Sequence, residues 1–168
     1  LHRSGTDPWE AELVDDGTLE SVDHGCAQTS PSQRTEGVGH TPDLARIDGD
    51  LFAAYYDADC GDLRLAGRPD EPTDRWTLTV VDTGDFALGP DMPLRRGDVG
   101  RFPALAATPE GRVAVAYQDV GRGRLLYASE SNGRFNNELV DPGLELDEFS
   151  QKRKLLVGAF ADMTIDAD

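Results

Sequence analysis

The octapeptides VGHTPDLA (Val38–Ala45) and VGRFPALA (Val99–Ala106) share Val, Gly, Pro, Leu and Ala at the same five offsets, and a weaker third copy, VGAFADMT, begins at Val157. The segment after each strong copy recurs as well. AYYDADCGDLRLA from Ala54 and AYQDVGRGRLLYA from Ala116 share Ala-Tyr-x-Asp, then Leu six residues and Ala nine residues after the Asp. A last element appears three times at fixed spacing, as Trp9-x4-Val14-Asp15, Trp76-x4-Val81-Asp82 and Phe135-x4-Val140-Asp141. Self-similarity on this scale marks a repeat architecture, so the fold is decided by what one period contains.

Each full period reads as four short β-like runs separated by turn chemistry. In the second copy they fall at about Ala104–Thr108, Arg112–Gln118, Arg124–Ser129 and Phe135–Asp141. Alternation is clearest in VAVAY, which puts Val113, Val115 and Tyr117 on one face and Ala114 and Ala116 on the other. Small alanines on the second face predict that it too is covered closely, as when one sheet stacks on the next. No segment carries a sustained 3.6-residue pattern; the nearest, LDEFSQKRKLL at Leu146–Leu156, lies in a connection.

Four antiparallel strands per repeat, none able to bury its faces alone, predict an all-β fold of β-propeller blades. The blade boundaries are 38–82 and 99–141, with 1–15 the end of an earlier blade and 157–168 the first strand of a further one. That is about two and a half to three blades, fewer than a closed ring needs. The chain therefore reads as one partial propeller, a segment of a larger one in preference to a short chain that closes by oligomerising. Its repeat, VG-x-x-P-x-L-A, A-Y-x-D, L-x-Y-A and W-x4-V-D, resembles the tandem propeller repeats of secreted or surface-attached bacterial proteins. The resemblance covers essentially the whole chain and implies an extracellular, cell-surface or periplasmic location.

Composition bounds the partners. The 168 residues carry 32 acidic against 16 basic side chains, a formal charge of −16, which repels a phosphate backbone and argues against nucleic acid. No run of about 18 apolar residues occurs, so no membrane span is expected. Because successive strands run antiparallel, the turn between a blade's second and third strands shares a side of the disc with the connection to the next blade. The long connections 16–37, 83–98 and 142–156 therefore emerge on one elaborated face, the natural place for function.

Asp57, Asp59 and Asp62 offer hard oxygen ligands for Ca²⁺, without the glycine and distal Glu of an EF-hand. The second repeat keeps only Asp119, so Asp57 also reads as a turn-stabilising repeat residue. Cys26, in connection 16–37, and Cys60, in the turn of the same blade, read as one disulfide clamping that connection. His24 and His40 form no ligand pattern. Trp9, Trp76, Phe135, Tyr55 and Tyr117 read as blade packing, and Asp15, Asp82 and Asp141 as turn starters. Hydrolase, metalloprotease and nucleotide-binding motifs are absent from the sequence, which leans away from catalysis. The expected role is a non-catalytic binding or scaffold module for a protein or glycan partner, or for other parts of the same propeller. A structural subunit of an assembly is the alternative. A glycoside hydrolase would use acids such as Asp59, Asp62, Asp85 and Asp91.

Overall fold

The computed structural model describes residues 11–17, 37–70, 75–85, 97–146 and 151–165. Among them there is no helix; the fold is all-β. Strands β1 (His40–Ile47), β2 (Asp50–Asp57), β3 (Asp62–Arg68) and β4 (Thr77–Asp82) form one antiparallel sheet in sequence order. Strands β5 (Val99–Ala107), β6 (Val113–Asp119), β7 (Arg124–Ser131) and β8 (Arg134–Asp141) form a second with the same order, and neither sheet closes on itself.

Local chemistry explains the hairpins. Asp48 and Gly49 join β1 to β2 with φ of 51° and 92°, and Asn132 and Gly133 join β7 to β8 with 54° and 75°. Two successive left-handed residues make the turn whose twist matches the flanking strands. In the first sheet residues 69–76 connect β3 to β4.

The two sheets stack through β5, which packs on β1 and β2. Ile47, Ala54, Leu63, Leu65 and Val81 of the first sheet form one core with Val99, Leu105, Val113, Val115, Tyr117, Leu126 and Ala128 of the second. The opposite face of the first sheet packs Ala53, Tyr55 and Ala66 with Val14, Val38, Trp76 and Leu78. Each buried Val or Leu here removes enough apolar surface to favour folding by about 1.5–3 kcal/mol. On the small-residue face Ala114 and Ala54, the counterpart of Ala116, are fully buried, Ala54 within the core shared with the second sheet, while Ala116 is half-buried. Tyr55 and Tyr117 are buried, and Trp76 and Phe135 pack against these cores. Trp9 lies outside the described residues.

Backbone irregularities repeat with the sequence. The β1–β2 register shifts between His40 and Asp43, and the β5–β6 register between Val99 and Ala104. The shifts let β5 begin at Val99 rather than near Ala104, because the bulged VGRF still finds β6. At the bulge Gly39 and Thr41 take φ of 85° and 47°, Gly100 and Phe102 take 100° and 52°, and Gly158 and Phe160 take 81° and 55°. Thr and Phe in the left-handed region are strained, at about 1–3 kcal/mol each, so three equivalent occurrences point to a shape fixed by surroundings.

Two sequence expectations change. Residues 157–165 form no strand, although the third VG copy keeps the backbone shape of the others; among the described residues no strand lies beside it to complete a ladder. The stretch 146–156 contributes to a small hairpin, β9 (Leu144–Leu146) with β10 (Lys152–Lys154), and no helix is formed by its described residues.

Candidate functional site

The β2–β3 turn is built on Asp57. Its buried Oδ1 accepts the backbone N–H groups of Asp59 at 3.0 Å and Cys60 at 3.2 Å, and its carbonyl accepts the Gly61 N–H at 2.8 Å. The β6–β7 turn repeats this on Asp119, whose Oδ1 accepts the Arg122 N–H at 2.8 Å and whose carbonyl accepts the Gly123 N–H at 2.7 Å. Gly123 has φ of 69°, and a Cβ there would stand 2.5 Å from the Leu155 carbonyl oxygen. Only glycine fits such a turn. Reading Asp57 and Asp119 as turn-building repeat residues therefore holds.

Their charges are balanced differently. Arg64 reaches Asp57 and, at 3.0 Å, Asp15, all three side chains being buried. In the second turn Arg122 and Arg124 both donate to Asp119 Oδ2, at 3.0 Å from either the Arg122 Nη1 or the Arg124 Nε. Burial opposes the Asp119 charge, but the bonds from Arg124 and Arg122 outweigh it and hold its carboxyl below the ordinary range.

Asp15 and Asp82 do more than start turns. Each accepts at Oδ1 the N–H two residues on, from Gly17 at 2.6 Å and from Gly84 at 2.7 Å, and Asp141 accepts that of Gly143 at 2.8 Å. The second oxygen accepts a hydroxyl from the next repeat: Tyr55 Oη donates to Asp15 at 2.7 Å and Tyr117 Oη to Asp82 at 2.6 Å. Burial, reinforced by these carboxylates, keeps both phenols protonated far above the ordinary tyrosine range. The sequence carried part of the signal, since V-D-x-G and D-x-x-x-G recur alongside the motifs already quoted.

The ends of the long connections gather on these turns. Ala58 donates to the Gly37 carbonyl at 3.0 Å, Val99 to Gly61 at 3.0 Å, Val120 to Asp98 at 2.8 Å and Val157 to Gly123 at 3.4 Å. Lys154 Nζ adds a bond to the Gly121 carbonyl at 3.0 Å. This is the shared side that antiparallel topology requires. Beside it lies a cavity of about 370 Å³ lined by Thr41 and Pro42, Phe102 and Pro103, and Phe160 and Ala161, the fourth and fifth residues of the three VG copies. The Phe102 and Phe160 rings stand 4.2 Å apart, and Phe102 N donates to Thr41 Oγ1 at 3.2 Å.

The acids proposed for metal or hydrolysis are dispersed. Asp57 and Asp62 come within 4.8 Å of each other and of Cys60 Sγ, but Asp59 turns its carboxylate to the Gly37 N–H at 2.9 Å. The D-x-D-x-x-D set thus does not converge on one point. Asp85 lines a separate cavity of about 270 Å³ with Asp82, Arg122, Arg124 and Glu138, while Asp91 lies outside the described residues. Cys60 sits in the β2–β3 turn with its N–H on Asp57 Oδ1, and Cys26 and His24 lie outside the described residues. His40 meets the Tyr56 ring edge-on. No helix among the described residues is long and apolar enough to cross a membrane. No protein-family model, curated protein or solved structure matches the chain.

Proposed function

We propose that the chain is a run of β-propeller blades that serves as a non-catalytic extracellular binding or scaffold module, engaging a protein or glycan through its loop-rich face. The observation that carries this is the gathering of three connection ends on two Asp-built turns, beside a mouth lined by equivalent residues of three repeats. Loops displayed by a rigid repeat scaffold are the usual seat of recognition. Cys60 pairs with Cys26 in this reading, adding a covalent tether to the one that Asp59 makes at Gly37. A peptide containing both cysteines linked after non-reducing digestion is the expected product; alkylation of Cys60 in the unreduced protein would remove the tether.

The test of function applies the chain to printed glycan and matrix-protein arrays beside a variant whose residues 86–96 and 147–150 are replaced by Gly-Ser of equal length. Retained strand content with lost array binding is expected. Equal binding by both, or release of reducing sugar from any arrayed glycan, would sink the reading.

A further inference from the structure

The molecule exposes repeats of the two surfaces it buries between its sheets. Leu105, on the side of the second sheet that meets the first, is 7% exposed, while Leu44 at the same offset of the first repeat is 61% exposed. Val81, on the side of the first sheet that meets the second, is 7% exposed, while its counterpart Val140 is 56% exposed. The outer face of the second sheet also offers a third latch. Asp141 spends Oδ1 on Gly143 as Asp82 does on Gly84, yet among the described residues no tyrosine hydroxyl donates to it.

The same face has already received the beginning of a partner. Val157 donates to Gly123 as Val99 donates to Gly61, Gly158 and Phe160 repeat the left-handed pair of Gly100 and Phe102, and the Gln118 side-chain amide donates to the Val157 carbonyl at 2.8 Å. We infer that the outer face of the second sheet docks a third four-stranded sheet of this repeat, continuous with Val157, whose A-Y-x-D tyrosine donates its hydroxyl to Asp141. This rests on the propeller reading and names the partner of one of its faces. A second copy of the chain fits less well. Its Val38–Thr41 would need the place that Val157–Phe160 fills, and its Tyr55 is held by its own Asp15. Continuity of the existing junction into the next one is what repeat architectures are built on.

The experiment compares the 168-residue chain with one in which a second copy of residues 103–141 follows Phe160. Asp141→Asn is measured in each by urea unfolding. In the 168-residue chain it changes the folding equilibrium by less than about twofold, and in the lengthened chain by about tenfold or more, since a buried acceptor loses its charge-assisted partner. Tyr→Phe at the duplicated copy of Tyr117 costs a similar factor without adding to Asp141→Asn, the signature of a direct pair. If the lengthened chain is too unstable to titrate, exchange of the Val140 and Asp141 amides replaces the unfolding curve, with protection rising in the lengthened chain. Equal effects of Asp141→Asn in both chains would overturn the inference. So would sedimentation showing that the 168-residue chain self-associates and that Val140→Arg abolishes it, for then the occupant is a second copy. Neither readout depends on array binding, so failure here is distinct from failure of the binding role.

Discussion

The junction of residues 11–17 with the first sheet and the junction of the first sheet with the second use one latch under different charge regimes. Both close a tyrosine hydroxyl onto the aspartate that ends the preceding repeat. At the first, Arg64 sits between Asp15 and Asp57 and serves two repeats at once. At the second, Leu126 takes the place of Arg64, and the turn aspartate is served locally by Arg122 and Arg124. A cavity of about 270 Å³ lies there beside Asp82, Asp85, Leu126 and the two arginines. A repeat can therefore keep its geometry while its charge balance moves between a bridge across units and a clamp within one.

Breaking the bridge has the largest effect. Arg64→Leu strands two buried carboxylates and is expected to destabilise the chain by about 3–5 kcal/mol, read as a shift in the urea midpoint. Adding Asp57→Asn recovers part of the loss, and no recovery would mean that packing, not charge, is what Arg64 supplies. Tyr117→Phe removes the latch at the second junction and leaves Asp82 short of a donor, at about 1–3 kcal/mol. Its pH signature is alkaline. The folded phenol stays protonated while the unfolded one ionises above about pH 10, so the native protein loses stability as pH rises through that range, and the Tyr117→Phe variant does so less steeply.

Arg124→Ala tests the clamp and costs about 1 kcal/mol, because Arg122 remains on Asp119. Here the acid limb reports. The depressed Asp119 pKa stabilises the fold above the ordinary carboxylate value of about 4 and is lost as pH falls through the lower folded value, so the gap between urea midpoints at pH 7 and pH 3 narrows in the variant. Asp59→Ala has the smallest effect, about 0.5 kcal/mol, confined to faster exchange of the Gly37 amide. Global unfolding as severe as that of Arg64→Leu would show that connection 16–37 is integral to the sheet.

Strands β2, β3, β6 and β7 were legible because alternation and the A-Y-x-D element fix both face and turn in a few residues. The turn role of Asp57 and Asp119 was legible for the same reason, being local. The reach of Asp15 to Tyr55 and of Asp82 to Tyr117 was not, since it depends on how one sheet sits on the next. Nor was the exchange of Arg64 for Leu126, because an arginine in a strand does not announce which aspartate it faces. The acidic spacing from Asp57 to Asp62 suggested one cluster, but backbone donors had prior demand on those oxygens. The third VG copy was legible as a repeat and misread as a strand, because its bonds to Gly123 set its path without a ladder.

Each latch joins residues only 40 or 35 positions apart, and the VG copies at Val99 and Val157 each bind the turn of the repeat before. Among the described residues, no linkage of either kind skips a repeat. A chain wired this way has short loops to close, so its units can assemble in the order in which a ribosome delivers them, each new one finding its template already folded. The left-handed residues at Thr41, Phe102 and Phe160 lie at the start of every such step. They are where the growing chain must turn before the next sheet can begin.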